Sequence, residues 1–279
     1  MACDLHCHSR ISDGSLGVEE IISIARRRGL SAIAITDHDA VVSATRAVVV
    51  GKRLGIPVIH GVELSAKDPS TNRKVHILAY LCDTPDRLEG LCRRTNANRK
   101  AAANAMIQKV LRYFPIIPES IVRCASGSTT VYKQHIMHAL IDAGYADSFF
   151  GDTYQKLFSS HGGRAYVPVE YPDVDEVIEL VHSAGGLAVL AHPYTYDSID
   201  LMHKLVSEKK LDGVEVWHPR NNAEQTAYLQ EFASANRLLM TGGSDFHGMY
   251  TNSPRPLGSY SAPDETVQLM LDYKKALYK

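Results

Sequence analysis

The sequence predicts an α/β protein, built as a distorted (β/α)7 TIM-like barrel with an inserted helical subdomain. Strand-like and helix-like segments alternate along most of the chain, which is typical of parallel strands joined by crossover helices. The alternation stops between residues 86 and 172, where the pattern is mostly helical. The chain has 279 residues, a length that suits one large α/β unit with an insertion. We therefore assign residues 1–85 and 173–279 to the barrel and residues 86–172 to an insertion that covers the active site.

Apolar runs and helix-end signals define the individual elements. Before the insertion, the pattern predicts helices over 18–29 and about 40–54, and strands over 31–36, 57–64 and 74–81. Within the insertion it predicts helices over 88–113, 132–143 and 152–159. After the insertion it predicts helices over 174–184, 198–209 and 223–236, and strands over 187–191, 213–217 and 238–241. About seven strands around one core favour a barrel over an open sheet, with the chemistry at the C-terminal strand ends.

Composition excludes several classes of protein. The formal net charge is −1, so the chain lacks the positive field that attracts long nucleic acids, and only nucleotides or short oligonucleotides are expected among nucleic acids. The five cysteines are odd in number and show no zinc-ribbon or CxxC spacing, which argues against a disulfide framework and favours a cytoplasmic location. No membrane segment is predicted, and no protein partner is evident.

Histidine and acidic side chains follow several predicted strands. His6 and His8 are two residues apart on an apparent first strand, so both can point to one face and share a cation. A histidine inside an apolar strand, such as His76, is more often a packing residue when it stands alone. Repetition at four strand ends favours a metal site instead, and mixed nitrogen and oxygen ligands suit Zn²⁺, Mn²⁺ or Fe²⁺. The candidate ligands are His6, His8, Asp13, His38, Glu63, His76, His192, Asp245 and His247.

Taken together, these motifs resemble the PHP (polymerase and histidinol phosphatase) family, in particular its stand-alone metal-dependent phosphoesterases. The matching segments are Asp-Leu-His6-Cys-His8-Ser, Ser-Asp13-Gly, Ile-Thr-Asp-His38-Asp, Gly-Val-Glu63, Val-His76-Ile, Leu-Ala-His192-Pro and Gly-Ser-Asp245-Phe-His247. The resemblance implies a distorted seven-stranded barrel with two to three divalent cations. It also implies three ligand sets, which are His6, His8, Glu63 and Asp245 for one metal, Glu63, His76 and His192 for a second, and Asp13, His38 and His247 for a third.

The resemblance further implies hydrolysis of a small phosphate ester. Two cations bridged by Glu63, about 3.5–4 Å apart, would share a hydroxide that attacks phosphorus, so we assign Glu63 and Asp245 to the catalytic centre. His135 resembles a recurrent family position in the insertion, and we expect it to contact the phosphoryl group or protonate the leaving oxygen. His138 is its competitor for that role.

Cationic side chains are needed to bind phosphate, and we expect Arg10, Arg164 and Arg220, together with His135, to do so. The other histidines, namely His161, His182, His203 and His218, are expected at the surface or in packing.

Three alternatives remain open. A PHP-type exonuclease would use the same metals on short DNA or RNA, whereas an amidohydrolase would act on C–N bonds. The usual bridging lysine of cyclic amidohydrolases has no match in the chain, where Glu63 takes that position. The third alternative is a metal module without catalytic activity. The sequence leaves open whether the substrate is a nucleotide, a sugar phosphate or a cyclic phosphodiester.

Overall fold

The computed structural model describes residues 2–253 and 255–278. Its strands are β1 Ala2–Asp4, β2 Ala32–Ile35, β3 Val58–Lys67, β4 Lys74–Tyr80, β5 Leu187–Leu190, β6 Gly213–Trp217, β7 Leu239–Gly242 and β8 Ala262–Pro263. Its helices are α1 Val18–Arg27, α2 Val41–Leu54, α3 Glu89–Val110, α4 Pro118–Cys124, α5 Lys133–Asp142, α6 Asp152–Phe158, α7 Val174–Ser183, α8 Ile199–Ser207, α9 Ala223–Asn236 and α10 Thr266–Leu277, with a 3₁₀ turn over Pro85–Leu88.

The strands form one sheet that curls into a nearly closed barrel. Their order is β7-β6-β5-β4-β3-β2-β1-β8, and β8 is a two-residue strand antiparallel to β1. The barrel closes beside β1, where the Leu5 amide donates to the Gly242 carbonyl at 3.1 Å and the His8 amide donates to the Phe246 carbonyl at 2.8 Å. The predicted barrel is confirmed, although β8 and α10 were not predicted.

Strand β4 departs from the parallel arrangement that the alternation predicted. It is antiparallel to both β3 and β5, with Ser65 opposite His76. The expectation of parallel strands was wrong here because the connection between Lys67 and Lys74 is too short for a crossover helix, which needs about a dozen residues. Because β4 runs in the opposite direction, its start, which carries His76, lies at the same end of the barrel as the C-terminal ends of the neighbouring strands.

Apolar side chains hold the barrel together on both faces of the sheet. All four residues of β2 are buried, as expected for a strand covered by helices. One cluster packs β3 and β4 against α7 and α8 through Leu64, Ile77, Ile178 and Leu205. Burial of each such side chain stabilises the fold by about 1.5–3 kcal/mol.

The segment between β4 and α7 is helical in the structure, and part of it has a hydrophobic core of its own. Met106, Ile121, Ile136 and Leu140 belong to a cluster separate from those of the barrel. We propose that residues 86–172 form a subdomain. Within the described ranges, no helix is long and apolar enough to span a membrane.

Candidate metal centre

The first histidine pair lies just beyond β1. We expected His6 and His8 on the first strand, but that strand ends at Asp4. The chain nevertheless stays extended, because Cys7 bridges to Phe246 and its carbonyl accepts from the Thr36 amide at 2.8 Å. The two Nε2 atoms are consequently 3.1 Å apart, so both rings face the same point.

Glu63, on β3, stands at the middle of the cluster. Its Oε2 lies 3.3 Å from His6 Nε2, 3.2 Å from His8 Nε2 and 3.0 Å from His38 Nδ1. Its Oε1 lies 2.5 Å from His76 Nδ1 and 3.0 Å from His192 Nε2. Both carboxylate oxygens are therefore surrounded by imidazole nitrogens from five separate positions, as a bridging carboxylate would require.

A second carboxylate, Asp13, lies near three of the histidines. Its Oδ1 lies 3.4 Å from His247 Nε2 and 3.7 Å from His8 Nδ1, and its Oδ2 lies 3.8 Å from His38 Nε2. His38 thus stands between Asp13 and Glu63. Asp245 faces the first pair, with Oδ1 3.4 Å from His8 Nε2.

Buried atoms without partners show that this arrangement suits cations. Glu63 Oε2, His8 Nδ1, His38 Nδ1 and His76 Nε2 are buried and make no hydrogen bond, even though ring nitrogens lie within 3.3 Å of Glu63 Oε2. A buried polar atom without a partner destabilises the fold, and so many in one place point to a ligand that accepts lone pairs. Burial would raise the pKa of Glu63, but the neighbouring histidines, His76 first, hold it well below its usual range, which keeps the carboxylate ionised. The donor set therefore fits divalent metal ions.

The ligand atoms form groups that are close enough to share an ion, and these groups differ from the predicted ligand sets. His6, His8 and Asp245 form one group, as the first set implied, without Glu63. The predicted second set is split, since Glu63 groups with His6 and His192 on one side and with His38 and His76 on the other. The third group contains Asp13, His38 and His247 as expected, and adds His8. Four residues therefore belong to two groups each, namely His6, His8, His38 and Glu63.

Two residues that the sequence analysis missed support the cluster. Glu215 on β6 is fully buried, with Oε1 2.8 Å from His6 Nδ1, and its Oε2 accepts from the His192 amide at 2.8 Å. His218 was expected at the surface or in packing; it is buried and packs beside a proposed ligand, with Nε2 3.4 Å from Asp245 Oδ2. An acid inside the apolar run Gly-Val-Glu-Val-Trp was the available signal for Glu215.

Buried carboxylates outside the ligand set fix the loops that carry it. Asp37 accepts from the Ser9 amide at 2.7 Å and from the Ser12 hydroxyl at 2.5 Å, which positions the loop ahead of Asp13. The backbone is also strained at two of the proposed ligands, because φ is +24° at His192 and +49° at Asp245. Such left-handed conformations of residues other than glycine concentrate at functional sites.

The N-terminus of α5 contacts the cluster through Tyr132 and Gln134, and His135 is the next residue along the helix. The Tyr132 ring stacks on His38 with centroids 6.2 Å apart, and Gln134 Nε2 donates to Asp13 Oδ2 at 2.9 Å. His135 is buried, and its Nδ1 accepts from the Tyr132 amide at 3.1 Å. Burial lowers the pKa of His135 to about 4, so the ring is neutral near pH 7 and carries its proton on Nε2.

The three arginines predicted to bind phosphate occupy different places. Arg10 donates to the Ser15 carbonyl at 3.1 Å and is half-exposed. Arg164 is exposed and lies over the Tyr113 ring at 5.8 Å. Arg220 is also exposed, but its amide donates to His218 Nδ1 at 3.2 Å, next to the cluster. Of the three, Arg220 contacts a residue beside the cluster, His218, through its backbone amide.

Other cations, which the sequence analysis did not select, lie beside the centre. Arg99 is buried and donates to Asp39 Oδ2 at 2.5 Å, and its guanidinium lies 4.9 Å from the Tyr132 ring. Lys74 is two residues before His76 on β4. Alternation along a strand was the signal for Lys74, because residues i and i+2 share a face.

Comparison with known proteins gives consistent matches. The family described as PHP domain matches residues 4–248. A phosphoribosyl 1,2-cyclic phosphate 1,2-diphosphodiesterase of Eggerthella lenta is 37% identical over 253 residues, which cover 90% of this chain and 96% of that protein. A 5'-3' exoribonuclease of Haemophilus influenzae is 30% identical over 250 residues, covering 88% of this chain and 89% of the relative.

A solved structure resembles the fold over nearly its whole length. The protein is from Bifidobacterium adolescentis and is described as a metal-dependent phosphoesterase. It superposes with a TM-score of 0.88 at 31% sequence identity, covering 97% of this chain and 96% of that chain.

Proposed function

Because the chain belongs to the PHP domain family and is a metal-dependent phosphoesterase, we propose that it hydrolyses a sugar phosphate, a nucleotide or a cyclic phosphodiester of such a compound. The cluster around Glu63 carries this proposal, since its imidazole and carboxylate atoms suit cations that bind a phosphoryl group. The Eggerthella lenta relative, a phosphodiesterase named for a cyclic phosphate on a ribose, supports a compact sugar-based substrate.

Nine side chains would hold two to three Mn²⁺, Zn²⁺ or Fe²⁺ ions: His6, His8, Asp13, His38, Glu63, His76, His192, Asp245 and His247. When bound, such ions polarise a phosphoryl group and lower the pKa of a water nucleophile toward neutrality. Through its two carboxylate oxygens, Glu63 would contribute to two of the metal sites. Glu215 would hold His6 with Nε2 turned toward the centre, because its carboxylate accepts a hydrogen bond from the Nδ1–H of His6.

We propose that His135, on α5 of the insertion, contacts the substrate. Its Nδ1 is occupied by the Tyr132 amide, so Nε2–H is the free donor. We assign it to a hydrogen bond with a phosphoryl oxygen or the leaving oxygen, and a dianion beside it favours the protonated ring. Of the three arginines, we propose Arg220 as the one that binds phosphate, because its backbone contacts His218 beside the cluster. Arg10 instead contacts the Ser15 carbonyl, and Arg164 lies over the Tyr113 ring.

The cysteines support a cytoplasmic location for this activity. Cys3, Cys7, Cys82, Cys92 and Cys124 are all free thiols in the structure. Unpaired cysteines persist in reducing compartments, and we therefore propose the cytoplasm.

An exonuclease on short RNA is the second candidate. The observation that favours it is the Haemophilus influenzae exoribonuclease, which is 30% identical and aligned over 88% of this chain. Against it, the net charge of −1 offers no long electrostatic track for a polymer.

A substrate screen tests the proposal. We expect metal-loaded protein to hydrolyse at least one compound among nucleotides, nucleoside bisphosphates, sugar phosphates and cyclic phosphodiesters, and to lose that activity in His192→Gln. The matched control is His161→Gln, which changes an exposed histidine and should keep wild-type rates. No hydrolysis of any phosphoester by the loaded wild type would contradict the proposal.

A further inference from the structure

Three side chains that can bind a metal ion converge in the insertion, apart from the cluster around Glu63. Cys124 is the last residue of α4, and His138 and Asp142 lie four residues apart on α5, so these two share a helix face. One ligand atom from each of the three lies within 4.8 Å of the others, and none of the three belongs to the groups around Glu63. Among residues 2–253 and 255–278, this is the only such group outside the catalytic cluster.

The distances between these atoms suit a zinc ion. Bonds of about 2.0–2.3 Å at tetrahedral angles place the ligand atoms of zinc about 3.4–3.6 Å apart. His138 Nε2 lies 3.7 Å from Asp142 Oδ1, which is close to that separation. Asp142 is half-exposed, so its carboxylate has room to rotate toward the thiol. A thiolate, an imidazole and a carboxylate together favour Zn²⁺ over Mg²⁺ or Ca²⁺, which prefer oxygen ligands alone.

The surroundings of His138 match those of a histidine that binds a metal. Its Nδ1 lies 3.1 Å from the Tyr250 hydroxyl, and an oxygen partner of this kind fixes the ring of metal-binding histidines. With Nδ1–H donating to Tyr250, Nε2 keeps its lone pair for an ion. His138, Asp142 and Asp147 also line a cavity of about 280 Å³, which gives room for the entry of an ion and for a fourth ligand.

The two helices that carry these residues both end at the cluster. Cys124 and Asp142 are the last residues of α4 and α5, and the C-terminal end of a helix carries a partial negative charge that favours a nearby cation. An ion at this place would join the two helices. It would also fix Tyr250, whose ring lies 5.7 Å from both His135 and His138.

We propose that Cys124, His138 and Asp142 bind one Zn²⁺ ion at a site separate from the catalytic centre, where the ion holds the C-terminal ends of α4 and α5 together. The ion displaces the thiol proton, which passes to solvent, and water or the Asp147 carboxylate takes the fourth position. Because Asp142 is half-exposed, we expect this site to bind zinc more weakly than the catalytic centre and to empty on desalting. The proposal does not depend on the proposed phosphoesterase function.

Protection of the Cys124 thiol by zinc tests the proposal in the wild type. The protein is alkylated with iodoacetamide with and without Zn²⁺, and the rate at each cysteine is measured by mass spectrometry of its peptides. With zinc at ten times the Kd obtained from a titration, about a tenth of the sites are empty, so Cys124 should react about tenfold more slowly. Cys82, a half-buried thiol just after β4, should react at the same rate in both samples. His138→Gln should remove the protection, whereas His161→Gln, which changes an exposed histidine, should retain it.

Substitution with Co²⁺ shows whether the thiolate itself binds the ion. The wild type and Cys82→Ser should give a near-ultraviolet charge-transfer band from thiolate to cobalt, and Cys124→Ser should give none. The proposed ligands of the catalytic centre include no thiolate, so they cannot produce this band. Equal labelling of Cys124 with and without zinc, no band in the wild type, or a band that persists in Cys124→Ser would overturn the proposal. Neither measurement uses phosphoester hydrolysis, so these results would leave the proposed function standing.

Discussion

Replacing Glu215 with glutamine changes the buried layer beneath the metal centre while leaving every proposed ligand in place. The carboxylate accepts two hydrogen bonds, from the His6 ring at 2.8 Å and from the His192 amide at 2.8 Å. Glutamine has nearly the same shape but only one acceptor oxygen. Its amino group must therefore face either the His6 Nδ1 proton or the His192 amide proton, and one of the two bonds is lost.

The expected size of the effect follows from the lost contact. A hydrogen bond to a charged group contributes about 1.5–3 kcal/mol, and at about 1.36 kcal/mol per decade this is about 10- to 150-fold in an equilibrium constant. Substitution of residues that orient metal-binding histidines typically lowers metal affinity or activity by about 10- to 100-fold. The hydrogen-bond energy and the known effect of such substitutions therefore predict a similar loss of metal affinity. Glu215 is also fully buried, so water cannot replace the missing bond.

Competition with a chromophoric chelator measures this effect directly. We expect Glu215→Gln to bind its metals about 10- to 100-fold more weakly than the wild type and to lose kcat once loaded. Glu231→Gln, an exposed acid on α9, serves as the matched control and should stay within about twofold. Wild-type metal affinity together with wild-type rates in Glu215→Gln would refute the positioning role of this carboxylate.

Three further predictions address the rest of the site. His135→Asn should keep its metals but lose about 10²–10⁴-fold in kcat on alkyl phosphates, and far less on p-nitrophenyl esters if the ring protonates the leaving oxygen; metal loss would instead identify a ligand. Chelation should abolish turnover and lower Tm, because an ion at 100 times its Kd stabilises the fold by about 2.7 kcal/mol; an unchanged Tm in calorimetry would contradict this. At equal phosphate ends, small phosphate esters should react faster than a long single strand, and a preference of more than about tenfold for the strand, falling steeply with salt, would favour the exonuclease.

The sequence predicted the barrel because its signals are local. Apolar periodicity and strand-end histidines can be read without knowing how distant segments meet. The direction of β4 was missed, although the short connection from Lys67 to Lys74 excluded a crossover helix. Strand β8 was missed because two residues carry no periodic pattern.

The supporting residues of the site were harder to predict than the cluster itself. Glu215 and His218 lie far along the chain from His6, and only barrel closure brings them beneath it. The arginines predicted to bind phosphate were chosen from neighbouring motifs, but a motif does not determine where a long flexible side chain points. In the structure, Arg10 contacts the Ser15 carbonyl and Arg164 lies over the Tyr113 ring.

The role of Glu63 is tested most directly by measuring metal content and phosphoesterase activity in the same samples of wild type and Glu63→Gln. Glu63 contacts imidazoles through both oxygens, so its amide variant can serve only one side. The wild type should carry about two to three divalent ions per chain and hydrolyse small phosphate esters. Glu63→Gln should retain about one ion at most and lose activity by at least about 10³-fold. A fully metallated and active Glu63→Gln protein would contradict the bridging carboxylate on which the proposed mechanism depends.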